Sequence, residues 1–531
     1  MNWTTAIVLS LLITLTGTVA YTQELPLNTI RPEAMHAHMA FLADDLLEGR
    51  GPGTRGFELA AKYVAAQFEA MGLAPAGDQG TYFQKVVLRR TKAIEGQSTL
   101  TVSRSGREVP LPRGRDVAFL GDVNRPVVDS EAPVVFVGRA IHAPELHYDD
   151  YQGIDVRGKI VAFLGGTAPA TFPSEQQAYY SSNASKWAYA QGHGAVGVIV
   201  ISTDSAVSYT ERVVWTAPNQ STGGPTGILN AGAILTAAAA APLFDGAKKT
   251  FAEVSAAVRA NQFASFDLLV RARLHVETRF EEIMTENVVA IARGTDQRLK
   301  SEYVVMSAHL DHLGRGRAID GDDIYNGALD NAVSVAMMIE AARCLTHVRT
   351  RRSVLFLATT AEESGLLGAD YFVHFPTVPR NDLVADINLD GTSALYPLKD
   401  IAGLGAEHSS LDAPFRKAAA ALGLVVSPDP QPEEHFFRRA DQYAFVLAGI
   451  PSIFVNEGLK SADPKFDGAA ITKQWLETIY HSPKDDMNQP ILYDWVVKQA
   501  QLNLLITYDV AQDSRRPAWK PGDFFAQPAR P

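Results

Sequence analysis

Two histidines and four carboxylates carry the chemistry of this chain, and all six lie in its second half. They are His309 in Ser307-Ala308-His309-Leu310-Asp311, Asp330 in Asn326-Gly327-Ala328-Leu329-Asp330, the adjacent Glu362 and Glu363, Asp390 in Asn388-Leu389-Asp390-Gly391, and His481 in Tyr480-His481-Ser482. Two imidazoles and three carboxylates, with one carboxylate left over as a base, are the set that a pair of zinc ions needs to activate water. The chain therefore reads as a metal-dependent hydrolase.

The elements around these residues make convergence geometrically reasonable. Tyr303 to Ala308 is a short apolar run suited to a buried parallel strand, and His309 follows it at once. Ser353 to Ala358 is a second such run, with Glu362 and Glu363 just past its end. Leu383 to Leu389 is a third, ending at Asp390, and Asn331 to Leu345 has helical spacing with Asp330 at its start. Ligand sites in open α/β sheets gather beyond the carboxyl ends of the strands, where these residues would meet. Taken singly each has a plain alternative: a polar His after a strand, a solvated Glu-Glu pair, an aspartate capping a helix.

Longer stretches carry a resemblance. Ser-Ala-His-Leu-Asp-His-Leu-Gly at 307 to 314, Tyr-Asn-Gly-Ala-Leu-Asp-Asn-Ala from 325, Ala-Glu-Glu-Ser-Gly-Leu-Leu-Gly from 361, Asn388-Leu389-Asp390 and Tyr480-His481-Ser482-Pro483 resemble the zinc exopeptidases. That family includes bacterial leucyl aminopeptidases, glutamate carboxypeptidase and glutaminyl cyclases. The resemblance implies that Asp330 bridges two zinc ions, His309 and Asp390 complete one, and Glu363 and His481 complete the other. It makes Glu362 the general base and Asp311 the carboxylate that holds the His309 ring, with His312 structural. Tyr480 either directs its hydroxyl at the oxyanion or is a packed aromatic. Arg439-Ala440-Asp441-Gln442-Tyr443 departs from the Ser-Asp-His common in relatives, which bears on specificity rather than on the chemistry. The implied enzyme is an exported two-zinc aminopeptidase acting on peptides. A carboxypeptidase, a dipeptidase or a glutaminyl-cyclase-like transferase is the alternative.

The 531 residues are 46% hydrophobic and 20% charged, an ordinary globular balance with room for more than one core. A net charge of −11 without basic runs argues against nucleic-acid binding. The single Cys344 excludes an intramolecular disulfide. Ala6 to Leu15 is mostly apolar but short, and Thr18-Val19-Ala20 resembles a cleavage site, so residues 1–20 read as a signal peptide. Export to the periplasm or medium is then expected, with no stable membrane insertion after cleavage; a retained anchor is the alternative.

The fold expected is α/β: a three-layer α/β/α sandwich carrying an inserted, mostly β domain. Phe57 to Met71 reads as an amphipathic helix behind the glycine-rich loop Leu46 to Thr54, and both belong to the amino-terminal part of the peptidase, 21–129. Runs at Pro133 to Val137, Lys159 to Leu164 and Ala195 to Ile201 mark the insert, 130–282. The stretch from Tyr148-Asp149-Asp150-Tyr151 to Lys159 resembles a protease-associated domain, either a lid that would shape substrate access or a docking or stabilising module. The peptidase then resumes over 283–514, and the Pro-rich tail, 515–531, is expected to be loosely ordered.

Overall fold

The computed structural model describes residues 25–111, 114–207, 211–224, 232–263, 265–391 and 394–526. The signal-peptide reading of 1–20 therefore lies outside the described residues. Among them, no helix is long and apolar enough to cross a membrane.

Three strands, buried throughout except for the half-buried Tyr303, form the centre: Tyr303–His309, Ser353–Thr359 and Leu383–Asn388. The first lies between the other two and is parallel to both. Ser452–Glu457 extends the parallel run beside Leu383–Asn388. Alternate side chains leave this sheet in opposite directions, as the two-residue strand period requires. Val304, Met306, Val354 and Phe356 pack against the helices Pro32–Leu42, Arg55–Ala70, Val333–Leu345 and Tyr493–Gln512. Val305, Leu355 and Leu357 face Phe372 and Phe445 on the other side, from Leu367–His374 and Gln442–Leu447. Sheet and flanking helices thus make the expected three layers.

The helix anticipated from Phe57 runs over Arg55–Ala70, with Phe57, Ala61, Val64 and Phe68 buried and Thr54 capping its amino end. The helix expected from Asn331 instead begins at Val333, after an irregular wide turn at Ala328–Ala332. Asp330 therefore does not cap it.

A second sheet is joined to the first by one strand of 27 residues, Phe266–Ala292. Its carboxyl end pairs with Ser353–Thr359 of the central sheet. Its amino end pairs with Thr99–Arg104 on one edge and Val127–Phe136 on the other. From Val127–Phe136 the second sheet continues in parallel through Ile160–Leu164, Gly197–Ser202 and Gly232–Thr236. Val117–Leu120 closes it. The sheet thus recruits strands from Thr99 onward, and the boundary expected at 130 falls inside the strand Val127–Phe136. Sequence texture did not separate these strands because Thr99–Arg104 alternates like any half-buried strand. Between the two sheets, Phe83–Ala93 pairs with Thr278–Val288 on one edge and with Glu211–Thr216 on the other, forming a three-stranded neck.

The tail differs from expectation as far as Ala526. Phe525 is buried beside Phe437, Trp519 Nε1 donates to the Gly449 carbonyl at 2.9 Å, and His408 pairs with Asp523 at 2.7 Å. Aromatic residues among the prolines provide this anchorage.

Candidate active site

Each predicted site residue sits at the carboxyl edge of the central sheet or on a loop facing it. His309 is the last residue of its strand, Asp390 follows Leu383–Asn388 by two, and Glu362 and Glu363 follow Ser353–Thr359. Asp330 comes from the wide turn before Val333–Leu345, and His481 from the loop after Gly468–Thr478. These loops bring their side chains together.

His309 Nε2 lies 3.2 Å from Asp330 Oδ1 and 3.2 Å from Asp390 Oδ1. On the other side of Asp330, His481 Nε2 lies 3.1 Å from Asp330 Oδ2 and 3.1 Å from Glu363 Oε2. The donors thus divide into two groups that share Asp330. Glu362 is near both but belongs to neither as closely, its Oε2 standing 4.0 Å from His309 Nε2. Burial, together with the charges of Asp390 and Glu363, pushes the Glu362 carboxyl well above its usual range despite the opposing pull of His309. For Glu363, burial and the Asp330 charge act in the same raising sense, yet His312 and His481 outweigh them and hold it at about 2. Two adjacent glutamates are thereby driven apart, one toward a strong base and one toward a permanent carboxylate.

The short distances are not all hydrogen bonds. His481 Nε2 and Glu363 Oε1 have no aligned hydrogen-bond partner although both are buried against polar atoms. His312 Nδ1 is 2.6 Å from Glu363 Oε1 and is likewise misaligned. Close approach without alignment means the lone pairs point into a common space, which a cation satisfies and a proton does not. Imidazole nitrogens and carboxylates are the donors zinc accepts, so the residues fit a metal centre.

Residues 287–505 match peptidase family M28. This segment is similar to that family. Among curated relatives, a probable leucine aminopeptidase 2 of Aspergillus oryzae is 29% identical over 227 residues, 40% of this chain and 42% of that protein. The corresponding Aspergillus fumigatus protein is 27% identical over 237 residues, 41% of this chain and 43% of its own. The chain thus spans less than half the length of these relatives. Among solved structures, an aminopeptidase from Aneurinibacillus sp. strain AM-1 aligns over 95% of this chain and 99% of its own, with 18% identity and a TM-score of 0.48.

Within the matched segment and around it, several supporting roles differ from the sequence reading. The His309 ring is held by the backbone carbonyl of Asp311, at 3.0 Å from Nδ1, while the Asp311 carboxylate stands 4.0 Å away. That carboxylate instead accepts the backbone N–H groups of Glu362 and Glu363 at 3.1 and 3.4 Å. Asp311 therefore fixes the turn that presents both glutamates. His312, read as structural, stands with Asp330 and Glu363 in the second donor group. Its position three residues after His309, past the strand end, was the available signal. Tyr480 packs flat on His481, with ring centres 3.8 Å apart, and lines the cleft beside Glu362 and Glu363. Asp441 does not line that cleft; it is buried behind it and accepts a hydrogen bond from Thr359 Oγ1.

Two supports were not read from the sequence at all. Asp485 accepts the backbone N–H groups of Leu329 and Asp330, each at 2.9 Å, one on each carboxylate oxygen. Arg50, only 1% exposed, donates to the carbonyls of Leu42, Leu310, Asn326 and Gly327. Gly49 makes this possible: at φ +70° it lies against the carbonyls of Tyr325 and Gly314, where a Cβ has no room. The glycine-rich loop thus clasps the segment that carries Asp330. Asp485→Asn keeps one acceptor but turns an amide donor toward a backbone N–H. It is expected to weaken zinc binding by roughly 10–100-fold, as losing a group behind a ligand does. Competition with a chelator measures this, and unchanged affinity would show that Asp330 needs no such support.

Proposed function

We propose that this chain is a two-zinc aminopeptidase that releases residues from the amino termini of peptides. The observation that carries the reading is the division of buried donors into two groups around Asp330, with Glu362 beside them. Bound zinc supplies polarisation of the scissile carbonyl and acidification of water. Glu362 takes the proton of the attacking water and returns it to the leaving amine, and its raised pKa suits that exchange. Tyr480, on the cleft wall, offers a hydroxyl to the developing oxyanion. Next to Asp330 and Asp390, the side chains of Phe436, Phe454, Trp475 and Leu476 line an apolar recess, which fits a hydrophobic first residue.

Export through residues 1–20 and a protease-associated identity for the second sheet belong to the same proposal. The support for the insert is its position: residues of the helix Asn183–Gly192 line the catalytic cleft opposite Glu362 and Glu363. A panel of aminoacyl reporters, their N-acetylated forms and an amino-terminal glutamine peptide tests the reaction. Hydrolysis of free but not acetylated leucyl reporters is expected, lost to chelator and restored by zinc. Cleavage of acetylated substrates would place the enzyme among endopeptidases or carboxypeptidases, and cyclisation of the glutamine peptide would make it a transferase.

A further inference from the structure

Adjacent arginines on the loop before Gln442–Leu447 are treated very differently by the fold. Arg439 is fully engaged: it lies over the rings of Phe436 and Tyr480, 5.2 and 5.9 Å from their centres, and reaches Glu434 Oε2 at 3.4 Å and the Tyr480 hydroxyl at 3.3 Å. Arg438 has no such company. Its Nε is enclosed without a hydrogen-bond partner, and among the described residues no carboxylate pairs with it. Burial lowers the Arg438 pKa from its usual value. A guanidinium withdrawn from water with a donor unmet costs free energy, and folds rarely retain one without a use.

The surroundings say what would meet that donor. Arg438 lines a cleft of about 370 Å³ whose wall also holds Glu362, Glu363 and His481. Across the cleft stand Ser182 and Asn183, the start of the helix Asn183–Gly192, whose positive dipole end adds to the field there. Lys186 of the same helix, 1% exposed, feels the Arg438 charge and donates to the Gly166 carbonyl at 2.8 Å. Glu362 and Glu363 are the carboxylates facing this cleft, and both belong to the metal centre. The recess for the first side chain lies on the other side, beside Asp330 and Asp390. The cationic cleft is therefore left for the part of the peptide beyond the scissile bond.

We propose that Arg438 anchors a carboxylate on the residue after the scissile bond, which makes this cleft a carboxylate-binding subsite and short or acidic peptides the preferred substrates. The proposal rests on the peptidase reading above. Two sources supply that chemistry: the terminal carboxylate of a dipeptide, or an Asp or Glu side chain in a longer peptide. Arginine presents its donors as a fork that matches a carboxylate, and such charged hydrogen bonds are the strong ones.

The test compares kcat/KM for leucyl-leucine, leucyl-leucinamide and leucyl-glutamyl amide in the wild type, Arg438→Gln and Arg438→Lys, with zinc content measured for each. In the wild type, at least one carboxylate substrate is expected to exceed leucyl-leucinamide by roughly 10–100-fold, the range of a hydrogen bond to a charged group. Preference for leucyl-leucine assigns the terminal carboxylate, and preference for leucyl-glutamyl amide assigns the side chain. Arg438→Gln should bring the ratio to about one with zinc retained, and Arg438→Lys should restore part of it. A wild type that cleaves all three alike, or a ratio that survives Arg438→Gln, overturns the subsite while leaving the peptidase standing. A wild type that cleaves none, and no leucyl reporter either, ends both.

Discussion

Glu362→Gln is expected to keep its zinc and lose its turnover, while Glu363→Gln loses the zinc itself. The two side chains are neighbours of one type, but the fold has separated their chemistry. Glu363 lies 3.1 Å from His481 Nε2 and 2.6 Å from His312 Nδ1, and is held as a carboxylate at about 2. Its amide is a poorer ligand, so metal should dissociate. Glu362 stands back at 4.0 Å from His309, with burial raising its affinity for a proton. Its amide cannot accept one, and kcat should fall by roughly 10²–10⁴ with KM little changed. Zinc stoichiometry read beside steady-state kinetics decides the matter. Loss of metal from Glu362→Gln with retention in Glu363→Gln would reverse the two roles.

Asp330→Ala should have the largest effect on metal. Its two oxygens face opposite imidazoles, Oδ1 toward His309 at 3.2 Å and Oδ2 toward His481 at 3.1 Å. Removing it strips a donor from both groups at once, so affinity at each should fall by more than the roughly 10–100-fold typical of losing a group one step removed. The purified wild type is expected to hold close to two zinc ions per chain and the variant close to none. His309→Ala or His481→Ala should leave one of the two. Retention of a full pair by Asp330→Ala would show that the groups do not share this carboxylate.

Much of the site was legible because its residues follow closely on short apolar runs suited to buried strands. His309, Asp390 and the glutamate pair needed no more than the carboxyl-edge rule and the order of the strands. What stayed hidden depends on distance in space. Arg50 precedes its partners at 310 and 326–327 by more than 250 positions, and nothing local in Gly49-Arg50-Gly51 says that its side chain turns inward. Asp311 shows a subtler limit. A carboxylate two residues from a ligating histidine suggests contact with the ring, but the backbone at the strand end takes that place and sends the carboxylate to the next loop. The extent of the second sheet was hidden for another reason: Phe266–Ala292 serves two sheets without a turn or break to signal the change.

That continuous strand has a mechanical consequence. A hinge needs a few residues whose backbone dihedrals can swing freely. Here the passage between the sheets is Thr278–Val288, tied by ladder hydrogen bonds to Phe83–Ala93, which is tied in turn to Glu211–Thr216. Bending the neck would require three strands to shear in concert. The second sheet is thus braced against the first like a bracket on a beam, and hinge motion between the two is expected to be small.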